Sequence, residues 1–167
     1  MSLQLSAPSA LFFRTAVVIG SLALPSLAPA QSGPFSAYAG SWSGSGVVTA
    51  SNGNTERIRC RAHYSVAQSD TDLNQQLRCA SDSYHFDVNS VLLADGEGRI
   101  RGTWEETTRR ANGSVNGQMA GSVVTGHVSG TGFTAEMTVT LRGDRQTVRL
   151  APTGAEITLV AIELHRE

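Results

Sequence analysis

From Arg57 to Val66 the chain alternates without interruption. Ile58, Cys60, Ala62, Tyr64 and Val66 fall on one parity, and Arg57, Arg59, Arg61, His63 and Ser65 on the other. A period of two with one polar face is the pattern of a half-buried strand. Leu73, Leu77 and Cys79 share a parity over residues 73–81, and the polar stretch Ala67–Asp72 between the two runs has the composition of a turn. If the runs form a hairpin with Val66 opposite Leu73, stepping outward by two pairs Tyr64 with Gln75, Ala62 with Leu77 and Cys60 with Cys79. Directly opposed residues of a non-hydrogen-bonded antiparallel pair bring their Cα atoms to about 4.5 Å, within disulfide reach. The pattern therefore predicts a Cys60–Cys79 bridge. Closing a loop of this size contributes roughly 3 kcal/mol in the chain-entropy account.

The same alternation recurs along the chain. Trp42, Gly44, Gly46, Val48 and Ala50 precede an Asn52-Gly53 turn that leads into the Ile58 strand, and Asn-Gly between alternating runs is a strong hairpin signal. Further strands are predicted at 84–94, 99–108, 115–121, 123–129, 133–142, 146–150 and 156–165. Asp95-Gly96-Glu97-Gly98, Asn112-Gly113, Gly130-Thr131-Gly132, Gly143-Asp144 and Pro152-Thr153-Gly154 read as the turns between them. Short, regularly spaced strands with brief turns predict an all-β domain, a single antiparallel up-and-down β-barrel of about 8–10 strands. Closure would also remove exposed edges.

Residues 1–30 have a different character. Arg14, an apolar run from Ala16 to Leu24 and the small residues Ala28-Pro29-Ala30 describe a secretory signal peptide cleaved after Ala30. The apolar run falls well short of the roughly 20 residues a membrane span needs, so no transmembrane segment is expected after cleavage. Residues 31–167 are then one periplasmic or secreted domain, in a compartment where a disulfide persists. Loss of Arg14 takes the formal charge from −1 to −2, too weakly charged for a dedicated polyanion binder, and no nucleic-acid partner is expected. Every Lys-or-Arg position is Arg, which reads as a compositional bias of the source.

Gly40-Ser41-Trp42 resembles the GxW signature that opens the first strand of lipocalins and other calycin barrels. Extended through Ser43-Gly44-Ser45-Gly46 it resembles the GxWxGxG opening of nitrobindin-type haem-binding barrels. The resemblance implies a calycin-like barrel in which a late arginine, Arg149 or Arg166, packs over Trp42. In nitrobindin-like barrels a histidine near the C-terminus binds haem iron. By position that is His165, although its neighbours Arg166 and Glu167 equally describe a solvated end and no cofactor is expected.

Candidate chemistry is sparse. The four histidines, His63, His85, His127 and His165, stand apart on separate segments with no HExxH and no Cys/His cluster, so no metal site is signalled. Gly44-Ser45-Gly46 lies in a glycine-rich strand and lacks the strand-turn-helix setting of a nucleophile elbow. No catalytic residue is expected. Two surfaces remain. The inward parity carries Trp42, Tyr64, Tyr84, Phe86, Trp104, Met119, Phe133 and Met137, which would line either a packed core or a pocket. Glycines at the same parity, such as Gly44, Gly46, Gly102 and Gly126, would enlarge a cavity or allow tight coiling. The outward parity carries Arg57, Arg59, Arg61 and His63, with Arg78 opposite Arg61, a like-charge pairing that an anion or a neighbouring acid (Asp82, Asp87, Glu105 or Glu106) would relieve. The expected function is non-catalytic binding of a small apolar or amphiphilic molecule inside an exported barrel. The alternative is a solid-cored structural or interaction protein that docks on a partner in the bacterial envelope.

Overall fold

The computed structural model describes residues 33–167, so the expected signal segment, residues 1–30, lies outside the described residues. Ten strands follow in chain order: β1 (Gly40–Ala50), β2 (Thr55–Val66), β3 (Asp72–Ala80), β4 (His85–Ala94), β5 (Arg99–Glu106), β6 (Ala111–Ala120), β7 (Val123–Gly130), β8 (Phe133–Arg142), β9 (Arg145–Thr153) and β10 (Ile157–Arg166). Each pairs antiparallel with its sequence neighbours, and β1 pairs with β10 to close the ring. Helix among the described residues is confined to one 3-10 turn, Ser36–Tyr38. None of it is long and apolar enough to cross a membrane.

The first hairpin has the register expected from alternation, with Val66, Tyr64, Ala62 and Cys60 opposite Leu73, Gln75, Leu77 and Cys79. Cys60 and Cys79 are joined across a Cα–Cα distance of 4.1 Å, and both are buried. That spacing belongs to the narrow pair type of an antiparallel ladder.

Two expected turns are corrected. Asn112 and Gly113 lie inside β6, opposite Glu105 and Trp104, and the chain reverses instead over residues 107–110, where Arg110 takes the left-handed conformation with φ 57°. A Cβ on Gly113 would run into the Ser129 carbonyl and the Trp104 indole, so this glycine serves close strand approach and not a turn. Pro152 likewise sits in β9, opposite Ala135. The inward glycines resolve the same way. A Cβ at Gly44, Gly46 or Gly102 would strike the backbone of the adjoining strand, and Gly117 and Gly126 face each other at similarly close range. They permit coiling of the wall.

The up-and-down order gives the barrel two distinct ends. The β2–β3, β4–β5, β6–β7 and β8–β9 turns gather at one end with the start of β1 and the finish of β10. We call this end the floor. The remaining turns form the opposite end, the mouth.

Candidate functional site

The floor is built from side chains that alternation alone directs inward. Trp42, at 0% exposure, meets the Tyr64 ring edge-on, and Tyr64 in turn meets Tyr38 edge-on. The Trp42 Nε1 donates to the Tyr38 carbonyl at 2.8 Å, so the 3-10 turn is latched across the barrel end. Phe35 seals the same segment, its amide bonded to the Asp70 carbonyl at 3.0 Å. Of the two arginines expected over Trp42, Arg166 occupies that place. Its guanidinium lies 4.3 Å from the ring centroid and donates to the Ala37 and Ala39 carbonyls. The stacked cation and the bonded carbonyls hold the first and last strands in one arrangement.

Above this floor lies an apolar cavity of about 100 Å³. Its walls include Leu77, Leu92, Met137, Val139 and Val148, each of which retains some exposure although it points inward. Five polar side chains interrupt the apolar lining: Tyr38, Tyr64, Gln75, Ser90 and Gln146. The Tyr64 hydroxyl donates to Gln146 Oε1 at 2.9 Å. Burial raises the pKa of both Tyr38 and Tyr64; for Tyr64 the Gln146 hydrogen bond only partly opposes the desolvation, and proximity to Tyr38 adds to the rise. Both phenols are therefore neutral donors at ordinary pH.

Of the eight inward residues read from the sequence, Tyr64 and Met137 line this cavity. Trp42 is packed below it and Met119 packs against the main core. Tyr84, Phe86, Trp104 and Phe133 belong to the mouth half. There Tyr84 and Phe86 stack at 5.9 Å, Trp104 meets Phe133 at 5.7 Å, and the Arg109 guanidinium lies 5.0 Å from the Phe86 ring. The polar members were missed. Gln75, Ser90 and Gln146 each carry a detectable signal, a polar residue at the inward parity of an otherwise apolar series: Leu73-x-Gln75-x-Leu77, Val88-x-Ser90-x-Leu92 and Gln146-x-Val148-x-Leu150.

Glu106, one of the acids expected to offset the arginine row, serves the β5–β6 turn instead. It is 6% exposed, and its carboxylate accepts the backbone N–H of Asp87, Thr108 and Arg109 at 3.1, 3.1 and 2.7 Å, as well as the Thr108 hydroxyl. Burial opposes its charge, but these donors outweigh that penalty and hold its pKa below the usual carboxylate value. It organises the β5–β6 reversal at the mouth.

On the outer wall Arg57, Arg59, Arg61 and His63 stand in a row along β2, with Arg78 opposite Arg61. Of this row only Arg78 forms an ion pair among the described residues, Nε to Asp87 Oδ2 at 3.1 Å. Arg59, Arg61, Arg78 and His85 are among the residues lining a shallow depression of about 490 Å³, with Ser43 and Ala80 beside them. Among the described residues no three metal-ligating side chains cluster. His165 lies on the outer face of β10, its Nε2 3.2 Å from Glu163 Oε1, whereas its neighbour Leu164 is fully buried. The residues present do not fit a haem held inside the barrel through His165.

No family model and no curated protein matches the sequence. The fold is similar to the crystal structure of Rv2717c from M. tuberculosis, with a TM-score of 0.60 and 12% identity over 79% of this chain and 94% of that one. It is also similar to the S-type phycobiliprotein lyase CPES from Guillardia theta, with a TM-score of 0.58 and 13% identity over 80% of this chain and 90% of that one. Both neighbours are calycin-like barrels, and the ten-stranded closed sheet described here shares that architecture.

Proposed function

We propose that this chain is an exported protein of the bacterial envelope, periplasmic or secreted, that holds a small apolar or amphiphilic molecule inside its barrel without transforming it. The observation that carries this reading is a blind apolar chamber. One end is shut by Trp42, Tyr38 and Arg166, while inward side chains above it remain partly accessible. A solid core would bury them all. Fold supports the reading at the level of architecture, since a barrel of this kind is the scaffold of a protein named as a phycobiliprotein lyase. Wide barrels of this sort commonly enclose one ligand.

Titration of the purified protein with Nile red tests the proposal. Saturable binding at one site per chain, with quenching of Trp104 fluorescence, is expected. Absence of saturation in a folded sample would overturn it. Export is tested separately by the mass of the periplasmic product, which should begin at Gln31.

The outer wall favours a second reading, docking on an anionic envelope surface. Arg59 and Arg61 line an open depression and form no ion pair among the described residues, Asp87 being engaged by Arg78, and arginine forks suit carboxylate and phosphate groups. Arg61→Ala should then weaken binding to phosphatidylglycerol vesicles. Unchanged binding would remove this reading.

A further inference from the structure

We infer that the chamber selects molecules whose buried end is polar but uncharged, such as an alcohol, ester, ketone or amide, and turns away carboxylates and ammonium groups. This rests on the ligand-binding reading above and names the class of ligand.

Strand register builds the selecting surface. Tyr64 on β2 stands opposite Gln75 on β3, and Gln75 stands opposite Ser90 on β4, so three polar side chains form one transverse row on the inner wall. Gln146 joins them from β9 through its hydrogen bond to Tyr64. Gln146 is 2% exposed and Ser90 is 8% exposed, so both are removed from bulk water. The Tyr64 bond occupies one end of the Gln146 amide. The other end, the Ser90 hydroxyl and the Gln75 amide have no hydrogen-bond partner among the described residues. Among the described residues no side-chain nitrogen or oxygen that is sealed off completely lacks a partner, so these free groups open onto the chamber. Turning the Gln146 amide over would exchange a free donor for a free acceptor and leave the belt uncharged.

Buried polar groups with no protein partner need one from water or ligand. A carbonyl or hydroxyl supplies it. A carboxylate would not be accommodated in the same way, because among the described residues no Arg, Lys, His, Asp or Glu lines the cavity. Its only ionisable walls are Tyr38 and Tyr64, kept neutral by burial. An ion there would lose its hydration with no countercharge. Arg166 stacks on Trp42, with Trp42 itself packed below the cavity, and Arg109 lies over Phe86 in the mouth half. The volume of about 100 Å³ suits a head group, with the remaining chain of the ligand running past Leu77, Leu92 and Met137 toward the mouth.

The test is displacement of Nile red by decanol, methyl decanoate and decanoate. At about pH 8 the two neutral compounds should bind at least about tenfold more tightly than the carboxylate. Lowering the pH to about 5 should narrow the gap by protonating part of the acid, while decanol affinity stays constant. Gln146→Leu should weaken decanol about tenfold, with an unchanged circular dichroism spectrum showing that the barrel still folds, and Ser90→Ala provides a second, smaller lesion. Equal binding of decanoate and decanol at the higher pH, or a Gln146→Leu protein with unchanged decanol affinity, overturns the selectivity and leaves the carrier reading intact. Failure of every probe to bind overturns both.

Discussion

The two ends of the barrel use the same kind of side chain for opposite purposes. At the floor, Phe35, Tyr38, Trp42 and Tyr64 interlock edge-on and all are buried. At the mouth, Tyr84, Phe86 and Phe133 are only half-buried, though Trp104 between the walls is nearly covered. The difference lies in what meets them. The floor receives the segment preceding β1 and the last residue of β10, which lay backbone carbonyls and a guanidinium over the rings. Among the described residues the mouth carries only the short β1–β2, β3–β4, β5–β6, β7–β8 and β9–β10 turns, with hydrogen bonds along the rim such as Glu106 with Arg109 and Glu56 with Ser83. Aromatic content therefore does not by itself decide whether a barrel end is closed; a crossing stretch of backbone does.

Substitution should expose that asymmetry. Trp42→Ala is expected to cost about 3–5 kcal/mol by urea denaturation, the range for truncating a buried aromatic. Phe86→Ala at the mouth should cost about 1–2 kcal/mol, because much less apolar area is lost. Equal costs would erase the contrast. Next in size is the Cys60→Ala/Cys79→Ala pair, which should lower stability by roughly 3 kcal/mol through the released loop. Reduction of the native protein should reproduce most of that loss, and an unchanged midpoint would show that the wall needs no covalent tie.

Glu106→Gln should destabilise by about 1–2 kcal/mol at neutral pH, since the amide is a weaker acceptor for the four donors around it. The sign of its pH dependence follows from a depressed folded-state pKa. The carboxylate contributes stability above its unfolded value of about 4.3, and that contribution fades as pH falls through the folded value. The gap between native and variant denaturation midpoints should accordingly shrink in acid, and a gap that widens would refute the hub. The smallest effect is expected on the outer wall. Arg61→Ala should change stability by less than about 0.5 kcal/mol, as for other exposed positions.

Local alternation made much of the wall legible. The β2–β3 register, the bridge and the inward parity all follow from period two, because a slip of one residue would turn every apolar side chain outward. Turn composition was less dependable. Asn112-Gly113 has the makings of a hairpin turn, yet glycine is required there by a neighbouring strand that sequence distance hides. The polar belt was obscured for a related reason. Tyr64 and Gln146 are 82 residues apart, and only closure of the ring places them within reach. The latch of Tyr38 on Trp42 depends equally on a short segment with no periodicity of its own.

The pairing of β1 with β10 has a consequence for how the molecule is made. A growing chain emerges amino end first, so β1 waits with one flank unmatched until β10 (Ile157–Arg166) is available. Until then β1 and the latest strand to form each offer a row of bare amides and carbonyls to any passing chain. Assembly is thus decided only when β10 arrives, and a polypeptide lacking it would be an open ribbon prone to joining its own kind.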